Sequence, residues 1–278
     1  MATLTKSLVD RGEIPTDLVG VGLSLTGTNQ NDTMIGSNYA DHIHGGGGAD
    51  VLFGYGGNDF LFGDAGNDTL IGGKGADALN GGEGFDTASY VSAASTVYVN
   101  LATNVGSFGD AEGDTFSSIE KVIGSNHDDV LIANNAGIVL DGGTGHDYLM
   151  GGAGLDVLIG GTGDDTLVGG RGFDVLTGGA GADHFEFNAG DGPDLITDFQ
   201  QGIDKFVLDE GFGFLSSELS TGTELPVPPS FGGGPRGQEH LFYDTDDGQL
   251  YLLGRSGEAT LLATFANGVQ LQTSDFIF

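Results

Sequence analysis

Between residues 45 and 86 the apolar positions recur every nine residues, a period that fits neither an extended amphipathic helix nor one long strand. The stretch reads GGGGADVLF, GYGGNDFLF, GDAGNDTLI, GGKGADALN and then GGEGFD, with Leu52, Leu61, Leu70 and Leu79 at position 8. Gly holds positions 1 and 4, and Asp holds position 6. Six residues turn and three extend. Alternation in the three extended residues sends the middle side chain to one face and its neighbours to the other. Two nines then make one coil of a parallel β-solenoid, with a turn on each edge. Each strand contributes a single side chain to the interior. So thin a core does not offset roughly 1–2 kcal/mol of backbone entropy per residue, and Gly stands at the costly end of that scale.

The period locates two blocks. The first starts at Gly27 and places Asp32, Asp41, Asp50, Asp59, Asp68, Asp77 and Asp86 at position 6. The second starts at Gly124 and places Asp129, Asp147, Asp156, Asp165, Asp174 and Asp183 there; its unit ANNAGIVLD puts Ile138 in the slot, and that turn is expected to bind metal poorly. Turns on one edge recur every second repeat, so Asp50 is expected to stack near Asp68, and Asp68 near Asp86. Adjacent carboxylates repel unless a cation lies between them. Carboxylates plus turn carbonyls make the hard oxygen shell of Ca²⁺; Mg²⁺ holds its waters and suits the turns less well. Asp also suits turns in general, but that does not explain one fixed slot in a nine-residue period. A site for each pair of turns two repeats apart gives about nine Ca²⁺. Weaker sites are expected at the leading units GTNQND and GSNYAD, which lack Gly at position 4.

The pattern G-G-x-G-x-D-x-U-x resembles the calcium-binding nonapeptide of RTX (repeats-in-toxin) proteins. The stretch from FDTASY to KVIGS resembles the spacer between their repeat blocks. GADHFEF, DLITDFQQGIDKFVL, LFYDTDDGQLY and the final Asp275-Phe276-Ile277-Phe278 resemble the C-terminal cap and secretion domain of serralysin-type members. The resemblance implies an all-β, calcium-stabilised parallel β-roll with a C-terminal β cap. It also implies export by a type I secretion apparatus to the cell surface or the medium. The expected divisions are 1–26 as an N-terminal cap or head, 27–90 and 124–187 as repeat blocks, 91–123 as spacer, and 188–278 as cap and secretion domain. TVYVNLAT in the spacer reads as a longer strand, and DLITDF, DKFVL, HLFYDTDDGQLYLL, TLLATFANG and SDFIF as strands around a Pro/Gly-rich loop at 224–238.

Charge sharpens this picture. The 278 residues carry 40 Asp+Glu against 8 Lys+Arg, a net charge of −32, which argues against nucleic acid and against a polybasic membrane patch. The two blocks alone carry 19 acidic and 2 basic residues, so nine Ca²⁺ would roughly neutralise them. Without ions the repeats are expected to repel themselves and unfold. The absence of Cys excludes disulfides and zinc–thiolate sites. MATLTKSLVDRGEIPTDL has no apolar h-region, and no run approaches a membrane-spanning length.

Catalytic signatures are absent: there is no H-E-x-x-H and no G-x-S-x-G. His42 and His44 flank Ile43 on a repeat strand and are expected to face outward as solvated surface. The sequence therefore reads as a secreted, non-catalytic calcium-binding protein that folds on Ca²⁺ after export. In size and layout it is similar to small stand-alone RTX proteins proposed to act at host membranes. Two alternatives stay open: a self-associating structural or adhesive matrix protein, and a stabilising or polysaccharide-binding module of a secreted enzyme.

Overall fold

The computed structural model describes residues 2–4, 21–208, 219–222, 240–253, 259–266 and 268–277. Residues 5–20 of the expected cap, the loop at 224–238 and Phe278 lie outside them. The described residues form short β-strands, turns and two 3₁₀ turns, Gly109–Ala111 and Thr273–Asp275. The fold is the expected all-β parallel solenoid, and it contains two compact units: Met1–Asn134 with Val139–Asp147, and Asn135–Ile138 with Tyr148–Phe278. The second repeat block contributes to both.

In the first unit, one sheet runs through His42–Gly47, Phe60–Ala65 and Ala78–Glu83, and the other through Thr33–Ile35, Val51–Gly56, Thr69–Lys74 and Thr87–Ser89. Every pairing among these strands is parallel and in a two-repeat register, such as Leu52↔Leu70 and Leu61↔Leu79. Side chains of one kind therefore stack in columns: Ile43, Leu61 and Leu79 in one, Met34, Leu52 and Leu70 in the other, all buried. The buried/half-buried alternation shows why the core is thin. In Phe60–Ala65 the inward positions are Leu61 and Gly63, so only one carries a side chain. His42 and His44 flank buried Ile43 and lie on the outer face, each stacked on a Phe of the next strand, Phe60 and Phe62, at 4.5 Å.

The coil begins before residue 27. Leu23–Thr26 pairs in parallel with Ala2–Leu4 and with His42–Gly47, so the solenoid takes in part of the expected cap. The inter-block segment also joins the stack. Thr115–Ser117 pairs in parallel with Ala78–Glu83, Lys121–Ile123 with Thr87–Ser89, and Tyr98–Asn100 with Val130–Ile132. An antiparallel strand, Val105–Ser107, is inserted between Tyr98–Asn100 and Thr115–Ser117. TVYVNLAT therefore supplies a three-residue strand, because the chain turns at Leu101, whose side chain packs into the core with Val97 and Val99.

In the second unit the Leu columns give way to aromatic ones. Leu149, Leu167, Phe185, Phe206 and Phe276 belong to successive strands of one sheet. Phe206 stacks on Phe187 at 4.8 Å and touches Phe199, Phe265 and Phe276 at 5.6–5.9 Å. The other sheet changes direction as well as content: Asp194–Ile196 pairs in parallel with Ala259–Phe265, after which Gln249–Leu253 pairs antiparallel with its neighbours on both sides.

Candidate metal-binding turns

All thirteen position-6 aspartates are buried, a placement that carboxylates adopt only when paired or bound. The stacking is direct. Asp32 donates its backbone N–H to Asp50 Oδ1, Asp50 to Asp68 and Asp68 to Asp86, at 2.7–2.8 Å and 18 residues apart. On the other edge Asp41 donates to Asp59 and Asp59 to Asp77, both at 2.8 Å. In the second block Asp129 donates to Asp147, Asp156 to Asp174 and Asp165 to Asp183. The degenerate turn keeps the backbone half of the pattern, since Ile138 N–H still donates to Asp156 Oδ1 at 2.7 Å. Ile138 itself is buried and supplies no carboxylate.

Four residues outside the nine-residue pattern continue these ladders. Asp77 donates to Asp114 Oδ1, Asp86 to Glu120 Oε2, Asp174 to Asp194 Oδ1 and Asp183 to Asp204 Oδ1. Their separations, from 20 to 37 residues, conceal them from a search at 18. The signal that would find them is an acidic residue two positions before a buried apolar one, Phe116, Val122, Ile196 and Phe206: DTFS, EKVI, DLIT and DKFV.

The second carboxylate oxygen divides the turns into two kinds. In one kind the turn closes on itself. Thr28 N–H and Oγ donate to Asp32 Oδ2 (2.6 and 2.8 Å), Ser37 N–H to Asp41 Oδ2 (2.5 Å), Gly152 N–H to Asp156 Oδ2 (2.8 Å) and Gln200 N–H to Asp204 Oδ2 (2.6 Å). Ser125 N–H does the same for Asp129 Oδ2. In the other kind Oδ2 is buried and has no hydrogen-bond partner: Asp59, Asp68, Asp77, Asp86, Asp174, Asp183 and Asp194.

Position 2 of the turn separates the two kinds. For Asp59, Asp68, Asp77, Asp86, Asp174 and Asp183 it is Tyr55, Asp64, Gly73, Gly82, Gly170 and Gly179, all at φ between 69° and 108°. Tyr55 and Asp64 hold this left-handed conformation although a side chain disfavours it, so the turn imposes it. Rotating that peptide withdraws the N–H that would otherwise satisfy Oδ2. Ser or Thr at position 2 marks the closed turns at residues 27–32, 36–41 and 124–129, a signal present in the sequence that the nine-residue template passes over.

The open turns also gather neutral oxygens. A methyl group placed on Gly54 would stand 2.3 Å from Asp59 Oδ2 and 2.5 Å from the Gly72 carbonyl oxygen; on Gly63, 2.4 Å from both Asp68 Oδ2 and the Gly81 carbonyl oxygen. Position 1 is thus a cradle of oxygens with no room for Cβ. Among the described residues no group of three or more His, Cys, Asp or Glu converges. An ion held here therefore takes much of its shell from backbone carbonyls, as Ca²⁺ readily does.

Burial is the main cause of raised carboxyl pKa values along the ladders, opposed by the N–H donors and reinforced by neighbouring carboxylates. It pushes Asp59 up to about 7, Asp68, Asp77, Asp174 and Asp183 up to about 6, and Asp194 up to about 8. These are groups that gain from either a proton or a cation near neutral pH.

Residues 26–88 and 123–192 match the profile of the RTX calcium-binding nonapeptide repeat, in overlapping stretches at 26–61, 53–88, 123–158, 139–167 and 159–192. The chain therefore carries RTX calcium-binding repeats in both of its expected blocks. No curated protein matches the chain. Among solved structures the chain is similar to an extracellular lipase, LipA from Serratia marcescens, at 20% identity over 99% of this chain. The match covers 42% of the lipase chain with a TM-score of 0.26, so this chain spans under half the length of that protein.

Proposed function

We propose that the protein is a secreted, non-catalytic calcium-binding protein whose repeat coils fold only when Ca²⁺ occupies their turns. The observation that carries this reading is the set of buried carboxylate oxygens without hydrogen-bond partners, aligned in columns beside turn carbonyls. Leaving such groups unsatisfied destabilises a fold strongly. A divalent ion between stacked turns supplies opposite charge and the missing ligands together.

The candidate ligands are the position-6 aspartates, with the open turns at Asp59, Asp68, Asp77, Asp86, Asp174 and Asp183 expected to hold ions most firmly. The closed turns at Asp32, Asp41, Asp129 and Asp156 are expected to hold them less firmly, because their own backbone already satisfies Oδ2. Such a chain would remain unfolded in the low calcium of a cytosol and fold outside, which supports export. Residues 188–278, through their resemblance to a secretion domain, are the proposed address.

Circular dichroism tests the central step. The spectrum should be coil-like in EGTA and β-rich in millimolar Ca²⁺, and an equally β-rich spectrum in both would refute calcium-driven folding. Expression of the chain with and without residues 188–278 in a type I-competent host tests the address; undiminished export of the truncation would remove it.

A further inference from the structure

In the segment between the repeat blocks, the two edges of the first unit treat their carboxylates differently. On one edge the step from Asp77 reaches Asp114, whose Oδ1 accepts the Asp77 N–H at 2.8 Å. Its Oδ2 accepts the Tyr90 hydroxyl at 2.7 Å, and Tyr90 and Asp114 are both buried. A neutral O–H donor thereby supplies Asp114 Oδ2 with the partner that Asp77 Oδ2 lacks.

On the other edge no position-6 Asp follows Asp86 at the 18-residue interval, yet the ladder does not stop. Glu120 Oε2 accepts the Asp86 N–H at 2.9 Å, the role that Asp86 Oδ1 plays for Asp68 at 2.8 Å. Asp86 is fully buried and its Oδ2 has no hydrogen-bond partner. The carbonyl part of the cradle is present too. A methyl group on Gly81 would stand 2.5 Å from Asp86 Oδ2 and 2.1 Å from the Ser118 carbonyl oxygen. At Gly63, one coil earlier, Asp68 Oδ2 and the Gly81 carbonyl oxygen stand in the same relation, both at 2.4 Å. Ser118 thus presents the oxygen that a repeat glycine would present, and Glu120 presents the carboxylate.

We propose that Asp86, Glu120 and the Ser118 carbonyl form a further divalent-cation site, outside the nonapeptide pattern, while on the other edge the Tyr90 hydroxyl takes the place of an ion at Asp114 Oδ2. The ligand class is a hard cation that accepts six or more oxygens, with Ca²⁺ the natural occupant. The site rests on the reading that the repeat turns bind calcium. It adds that the cation ladder extends past Asp86 into the inter-block segment, as far as Glu120.

Equilibrium dialysis of the full chain with Ca²⁺, for the unaltered protein and for Glu120→Gln and Tyr90→Phe, counts the ions. Gln keeps an oxygen for the Asp86 N–H and loses the charge. Glu120→Gln should bind one ion fewer, and Tyr90→Phe should bind no fewer than the unaltered chain. An unchanged count in Glu120→Gln, or the loss of an ion in Tyr90→Phe, overturns the assignment. Should Glu120→Gln fail to fold, anomalous scattering from calcium-grown crystals of the unaltered chain decides. A peak between Asp86 Oδ2 and the Glu120 carboxylate supports the site. Its absence beside an occupied Asp68–Asp86 step removes it. No bound calcium anywhere would instead overturn the function proposed for the repeats.

Discussion

The nonapeptide coils around Leu52–Leu79 and the aromatic region around Phe185–Phe276 use one backbone plan with opposite interiors. In the coils each strand buries one Leu beside a Gly, and the turns bury a carboxylate with an unsatisfied oxygen. In the aromatic region Phe185, Phe187, Phe199, Phe206, Phe265 and Phe276 form one continuous cluster. Fully burying an aliphatic or Phe side chain contributes about 1.5–3 kcal/mol, so one Leu per nine residues leaves the coil short of its chain entropy. Where the fold can place several rings together it relies on apolar area. Where the period admits one Leu, the proposed ions would supply the rest.

Five changes would break or sharpen that contrast. The largest effect is expected from Asp68→Ala, because Asp68 is stacked on both sides, on Asp50 and on Asp86. It should lose two ions and raise the calcium concentration needed for folding, read by dialysis and by circular dichroism. Asp156→Ala should lose at most one, since Ile138 lies on one side and Gly152 N–H already satisfies Asp156 Oδ2. Equal losses would mean that alternate-repeat stacking does not set occupancy.

Next comes Phe206→Ala, which removes the ring at the centre of the aromatic cluster and should destabilise the calcium-loaded protein by about 3–5 kcal/mol. Urea unfolding at saturating calcium measures it, and raising calcium further should not recover the loss. Recovery would mean that the aromatic region is also held chiefly by ions.

pH should act on the coils more than on the rings. Burial raises the carboxyls of Asp59, Asp77 and Asp183 above their ordinary value of 3.8 in the ion-free fold, so that fold takes up protons. The resulting stabilisation is complete below the unfolded value and is lost as pH rises through about 6 to 7. Metal-free protein should therefore show more β-structure at pH 4 than at pH 8. With calcium present the ions compete with protons, so the calcium midpoint should rise as pH falls from 8 to 5. Circular dichroism across both series checks the two signs.

The smallest effect is expected from Ile138→Asp. The Ile138 backbone already holds ladder register, so a carboxylate there should add about one ion of calcium capacity by titration calorimetry. Asn135 and Ala136 replace residues of the usual Gly-rich turn, and no gain would show that side-chain identity at position 6 is not sufficient.

The regular part of this architecture was legible because its period is local. A nine-residue phase fixes which Leu points inward and which Asp shares an edge, and Leu52, Leu61, Asp50 and Asp68 stand as that phase requires. His42 and His44 followed from alternation alone. Less legible was whatever depends on coil closure. Asp114, Glu120, Asp194 and Asp204 occupy ladder positions at irregular separations, because extra residues are taken up in turns or, between the blocks, in added strands, while strand pairing keeps its register. The inter-block segment read as a break in phase, yet its strands stack in parallel with those of the repeats, since pairing depends on the neighbouring edge and not on chain spacing. Open and closed turns were hidden in position 2, where Thr28, Ser37 and Ser125 point to closure and Tyr55 and Asp64 adopt a conformation that their types do not advertise.

Hydrogen exchange with mass spectrometry, in EGTA and in millimolar calcium, reads the coils and the aromatic region in the same molecule. Peptides spanning residues 51–88 should exchange at nearly unfolded rates in EGTA and become strongly protected with calcium. Peptides spanning residues 259–265 should gain a much smaller factor, because their protection comes from ring packing. Strong protection of 51–88 in EGTA would contradict the claim that ions hold the nonapeptide coils together.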